Sequence, residues 1–242
     1  MLQPINEHET TLITKLRSHP FWLRLPTLSH EDFLAVLIQR RFLSLRIVNI
    51  YELAIDILTD AAAKQTVREI LHEEYPRNSK GVALPSHREL LFQDLLHLGA
   101  TPKLILTTPE TSQTQEIAAA SYELIASFFG DSQAEIRLIA FMRFWAEVLV
   151  SVEYGCLWQR LSSRIASKAI ADKPRSEFYY FHMIHDRRNS HLGQENLLGG
   201  MTHSEELATH LVRLINNSED VAACLEIEAI AFQLRSQFYN QF

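Results

Sequence analysis

Apolar positions recur at helical spacing along most of the chain, and alternating strand-like runs are scarce. Pro20 and Pro26 bracket a short connection. Ser29 can cap a helix that begins near His30, with Leu34, Leu37, Ile38, Phe42 and Leu45 as its buried stripe, and this helix is predicted over residues 30–60. A second follows with Val67, Ile70 and Leu71 on its inner face, and residues 76–85 read as a loop. Ser86-His87-Arg88-Glu89 has capping-box spacing, in which the Ser oxygen and the Glu carboxylate take up free amides at a helix start. Gly99 and Pro102 end that helix, and later ones are predicted over 111–129, 133–166, 175–193, 204–216 and 219–240. Gly130 and Pro174 punctuate them. The pattern predicts an all-α fold in which residues 1–242 form one domain, a bundle of seven or eight helices.

Composition narrows the function classes. At 47% hydrophobic and 10% aromatic residues, the chain can fill a sizeable core. Its net charge of −6 comes with no basic run, which argues against nucleic acid as a partner. The longest apolar stretch, residues 138–152, is interrupted by Arg143 and Glu147 and falls short of a bilayer span, so no membrane partner is expected. The start of the chain, with Glu7, His8 and Glu9, lacks the regions of a signal peptide, and Cys156 and Cys224 are too few for a disulfide framework. A soluble protein of the cytoplasm is the expectation.

Within this helical background some polar residues sit where packing alone would not put them. Glu153 is the only charged side chain between Val148 and Trp158 and is expected to be buried. A buried carboxylate is costly unless it is protonated, paired or metal-bound, so Glu153 either bonds a core Tyr or Arg or serves a cation. His182, Asp186 and Asn189 stand at i, i+4 and i+7, one narrow face of a continuous helix, with Phe178 and Tyr179 preceding them on nearly the same side. That face offers either successive metal ligands or a His182–Asp186 bond within the helix. Glu74 extends the stripe of the 67–71 segment, and His87 opens the next helix; both can equally be ordinary polar residues at helix ends. Together these segments supply carboxylates and imidazoles of the kind that iron or manganese takes. Zinc held by thiolates is disfavoured by two distant cysteines. A ferritin-like site would need two Glu-x-x-His motifs, and Glu69 to His72 is the one present.

These positions make the chain resemble the haem-oxygenase-like di-iron oxidases, with the chlamydial death-domain-associating (CADD-like) proteins as nearest type. Thiaminase II and pyrroloquinoline-quinone synthase (TenA/PqqC-like) share the broader fold. The resemblance runs from the first long helix to about Gly193. That family's pattern has a Glu near one helix end, a His at the next helix start, a Glu on a central helix, then His-x3-Asp-x2-His. Glu74, His87, Glu153, His182 and Asp186 match it, and Leu192-Gly193 follows at the family's spacing. Asn189 stands where the family has its final His, and His185 can substitute for it after a rotamer change, whereas His191 points away. Glu73 is an alternative to Glu74.

The resemblance implies a non-haem oxidase or oxygenase that binds two irons (manganese being possible) and uses dioxygen as cosubstrate on a small organic or cofactor-precursor molecule. It implies Glu153 as the bridging carboxylate, Glu74 and His87 mainly on one ion, and His182 and Asp186 on the other. Arg143, Arg160 and Arg175 are candidates to anchor a substrate carboxylate, or else surface residues. Tyr75, Tyr154, Tyr179 and Tyr180 are candidates to donate protons or electrons, or else packing residues. Two rival readings stand beside this one: a metal-free cofactor-biosynthesis oxidase resembling pyrroloquinoline-quinone synthase, and a non-enzymatic binding protein with a degenerate site. A homodimer is compatible with such a bundle, although no helix face is singled out for it.

Overall fold

Capping side chains set the helix starts. Ser29 accepts the amide of Asp32, and Ser86 and Glu89 complete the capping box expected of them. In the computed structural model, which describes residues 1–79, 81–194 and 201–242, the first helices are α1 (Gln3–Arg17) and α2 (Pro20–Arg24), followed by a 3₁₀ turn, Leu25–Thr27. Next come α3 (His30–Leu45), α4 (Ile47–Ile57) and α5 (Ala61–His72). The helix predicted over 30–60 is thus two: its last turn tightens as Arg46 donates to the Leu43 carbonyl, and α4 leaves at a kink.

Residues 76–85, expected as loop, contain a small antiparallel hairpin, β1 (Arg77–Ser79) and β2 (Val82–Leu84), with Arg77 paired to Leu84. Gly81 lies beside its turn at a φ of 79°, which only glycine adopts freely. The chain continues through α6 (His87–His97), α7 (Pro102–Thr107), α8 (Ser112–Ala126) and α9 (Ala134–Phe141). A π-helical segment, Met142–Val148, joins α9 to α10 (Leu149–Leu161) without a break. The last three helices are α11 (Tyr179–His185), α12 (His203–Leu214) and α13 (Ser218–Asn240).

The α9–π–α10 rod is the axis of the molecule. Phe141, Phe144, Trp145 and Leu149 are fully buried within it, and Phe141 stacks on Trp145 with ring centroids 5.3 Å apart. Helices α1, α11, α12 and α13 pack around it, and α4 reaches it at α9. The architecture is all-α, as the hydrophobic periodicity predicts, and the helical segments outnumber the expected seven or eight because α1, α2 and α7 are not among the predicted helices and the helix predicted over 30–60 is divided. No helix among the described residues is long and apolar enough to cross a membrane.

Arg143 of the π segment is buried and ties three helices together. It donates to both oxygens of Glu9 on α1 and, through Nε, to the Ser204 carbonyl of α12 (3.1 Å), and it lies 3.9 Å from Glu228 on α13. Arg188 adds a 2.6 Å bond to Glu9. Burial works against the Glu9 charge, but Arg143 and Arg188 prevail and hold its pKa at about 2. The stability Glu9 contributes is therefore complete above the ordinary carboxylate range and drains away as pH falls toward about 2. Arg143→Met should lower unfolding free energy at neutral pH by about 3–5 kcal/mol, because it strands a buried carboxylate. Urea denaturation checks this, and adding Glu9→Gln to the variant should recover part of the loss.

Candidate metal centre

The hairpin after α5 returns the chain so that α6 starts against the end of α5, with the His87 amide 3.4 Å from the Glu73 carbonyl. This places the His87 imidazole between neighbouring acids: Nδ1 is 3.1 Å from Glu74 and Nε2 is 3.4 Å from Glu73. Both predicted partners, Glu74 and His87, are brought together, and Glu73, the alternative, is there as well.

His182 comes from α11, whose start is held from outside. Asp94 of α6 is fully buried and accepts the Ser176 hydroxyl (2.7 Å) and the amides of Glu177, Phe178 and Tyr179. It therefore acts as a cap supplied across space. His182 donates Nδ1–H to the Phe178 carbonyl (2.8 Å), which leaves Nε2 as the donor atom, 3.3 Å from His87. Burial and the neighbouring His87 push the His182 pKa well below its ordinary value, so the ring is neutral.

The predicted helix over 175–193 is confined to α11. Asp186 still stands one turn after His182, its amide bonded to the His182 carbonyl at 3.2 Å. Beyond it the Arg187 carbonyl accepts the hydroxyls of Thr202 and Ser204 instead of a helical amide, and the helix cannot continue. Asn189 consequently leaves the face it would share with His182 on a longer helix; it lines a surface pocket together with His185 rather than the central cavity.

Glu153 is fully buried but lies elsewhere. Its Oε2 accepts from Arg40 of α3 (2.8 Å) and lies 3.5 Å from Arg235 of α13. The carboxylate that the rod presents to the histidines is Glu147, six residues earlier on the π segment, hydrogen-bonded by the Tyr51 hydroxyl and 3.6 Å from His203 Nδ1. Burial and Glu147 push the Tyr51 pKa well above its usual value, so it remains a donor. His203, at the start of α12, lies between the groups: Asp186 is 3.8 Å and Glu73 3.9 Å away. Burial disfavours its charged form, yet the bond and charge of Glu147 raise its pKa.

Among the described residues two ligand trios result, one of Glu147, Asp186 and His203 and one of Glu73, His185 and His203; within each, the donor atoms lie within 4.8 Å of one another. Crowding of acids shows in Asp186, whose pKa is pushed well above the carboxylate range by burial and by Glu147, Glu73 and Glu74. Glu73 Oε2, Asp186 Oδ1 and His185 Nδ1 are buried with no hydrogen-bond partner among the described residues. Such orphaned donors are expensive, and converging oxygen and nitrogen lone pairs are what a hard or borderline divalent cation satisfies. The residues present therefore fit a metal.

Glu147 and His203 were missed from sequence. Glu147 carried the same signal as Glu153, an acid in an apolar run, and His203 the same signal as His87, an imidazole at a helix start. The substrate-anchor candidates are engaged elsewhere: Arg143 with Glu9, Arg160 with the carbonyls of Leu25, Leu28 and Ser29, and Arg175 with Glu177 at the surface. Of the four tyrosines, Tyr154 lines the central cavity. Tyr179 is core, Tyr180 packs on Trp158, and Tyr75 bonds Glu52 at the surface.

No family model matches the chain, and no curated protein matches it in sequence. Solved structures share its fold. A domain of unknown function with a haem-oxygenase-like fold from Shewanella denitrificans OS217 is similar over 100% of this chain and 91% of that one, with a TM-score of 0.68 at 13% identity. A TenA family transcription regulator from Silicibacter sp. TM1040 is similar over 98% of this chain and 93% of that one, with a TM-score of 0.59 at 14% identity. The fold is haem-oxygenase-like.

Asp94 is a positioning residue in this arrangement. Asp94→Ala should destabilise the protein by about 1–3 kcal/mol in urea denaturation, since several buried donors lose their acceptor. It should also weaken cobalt binding, followed by its visible absorption, by about tenfold.

Proposed function

We propose that the chain is a non-haem metal-dependent oxidase or oxygenase of the CADD-like kind, holding two iron ions and acting with dioxygen on a small organic molecule. The observation that carries this reading is the convergence of Glu73, Asp186 and His185, all with buried unpartnered donor atoms, on His203 and Glu147. Two ions sharing ligands would supply electrons and open coordination positions for dioxygen chemistry. His203 belongs to both trios and would lie between the ions; Glu147 and Asp186 would complete one end and Glu73 and His185 the other, while His182 offers a fixed Nε2 lone pair and His87 and Glu74 flank it. Tyr51 orients Glu147 and holds a proton at its hydroxyl, and Phe178 fixes the His182 tautomer.

This gives Glu147 the place of the central-helix carboxylate ligand, where the sequence resemblance put Glu153, and it replaces Asn189 with His185 and His203. One observation favours a second reading. Arg40 and Arg235 line the same cavity, as a metal-free oxidase binding an organic acid would require.

Anaerobic titration of metal-stripped protein with ferrous iron should saturate near about two ions per chain. Glu147→Gln and His203→Gln should each lower that stoichiometry, whereas Glu153→Gln should not. Retention of full stoichiometry in Glu147→Gln, or its loss in Glu153→Gln, would reverse the assignment. No iron uptake by the wild-type chain would leave the metal-free reading standing.

A further inference from the structure

The buried charges around Glu153 leave a surplus on the cationic side. Arg40 and Arg235 are 2% and 0% exposed, and Glu153 is their common carboxylate.

 The other groups packed here, Tyr154 and Tyr239, are phenols whose pKa values burial raises, so they add no negative charge. Burial pulls Arg235 down to about 10, with Glu153 working the other way, and it stays charged at neutral pH. Two guanidinium groups are thus shared by one internal carboxylate.

The remaining hydrogen-bonding capacity is uneven. Arg40 uses Nε on Glu153 and Nη1 on Ser44 (3.0 Å), and Arg235 uses Nη2 on the Trp145 carbonyl (2.8 Å). Arg235 Nε and, on the acidic side, Glu153 Oε1 are buried without a hydrogen-bond partner among the described residues. Both arginines line the central cavity, together with Glu147, His182, Asp186 and His203. Tyr154 connects the two groups: its ring has Arg40 5.1 Å from its centroid and His182 edge-on with centroids 6.2 Å apart. The cavity measures about 50 Å³, room for about four water-sized groups.

We infer that Arg40 and Arg235 form an anion subsite that takes the carboxylate of a short organic acid and aims the rest of the molecule at the histidine–carboxylate cluster. A planar carboxylate matches the guanidinium fork and supplies the second negative charge that Glu153 alone does not. The short acid follows from the cavity volume. Its role as substrate rests on the oxidase reading; the subsite itself does not.

The test uses acetate as probe, with acetamide as its uncharged counterpart, titrated by calorimetry into the 242-residue chain both metal-stripped and iron-loaded. Acetate should bind in both states and acetamide in neither. Arg235→Lys should weaken acetate roughly tenfold by removing the fork. Glu153→Gln should tighten it by a similar factor, because it removes the competing internal anion while keeping side-chain shape. That gain is not expected of a purely structural ion pair, and it keeps the inference testable should the arginine variant fold poorly. Equal binding of acetate and acetamide, no acetate binding, or acetate that binds only with iron and ignores both substitutions would overturn the subsite. Arg-dependent acetate binding in a chain that takes up no iron would keep the subsite and remove the oxidase reading.

Discussion

Everything in this fold answers to the burial of charge on one helical rod. The segment from α9 through α10 is enclosed by other helices, yet it carries Arg143, Glu147 and Glu153, all nearly or fully inaccessible. Each must be met by a partner from another element, because an unpaired charge in an apolar interior is prohibitive. Arg143 is met by Glu9 of α1 and by α12, Glu147 by Tyr51 of α4 and His203 of α12, and Glu153 by Arg40 of α3 and Arg235 of α13. Apolar contact alone would let these helices slide or rotate; the three charged stations specify where each one sits.

The three stations are not chemically alike. At Arg143 the opposite charges are closely matched, and the result is a structural clamp. At Glu153 cations exceed anions, whereas around Glu147 acids crowd one another and a histidine. The last two flank one cavity, so the polarity of the site grows out of the same requirement that organises the core. A haem-oxygenase-like bundle supplies the frame, and the imbalance at the Glu147 and Glu153 stations sets the polarity of the cavity between them.

How much of this could be read from the residues depended on whether the signal was local. The Ser29 cap, the Ser86–Glu89 box and the Glu74–His87 pairing across a short connection are local, and the structure contains all three. The length of α11 was not legible, because the Asp94 cap and the Thr202 and Ser204 hydroxyls that bound it come from distant parts of the chain. Asn189 looked aligned with His182 only on a helix that those contacts do not allow. That Glu147, and not Glu153, lies beside the histidines was hidden for a related reason. Six residues apart, they point about 120° away from each other on a regular helix, so one could face the histidines and the other could not. Which of them did was decided by Arg40 and Arg235, neither of which is adjacent in sequence.

A π turn holds more residues than an α turn, so side chains beyond Val148 are rotated relative to those of an uninterrupted α-helix. Glu147 lies inside the π segment and Glu153 beyond it, so the angle between the histidine-facing acid and the arginine-facing acid is partly a property of the bulge. For aligning this chain with more distant members of its fold, the implication is practical. Against a member whose central helix is α throughout, a one-residue gap belongs within that helix, where gaps are ordinarily penalised, and an alignment that forbids it there will equate acids that face different neighbours.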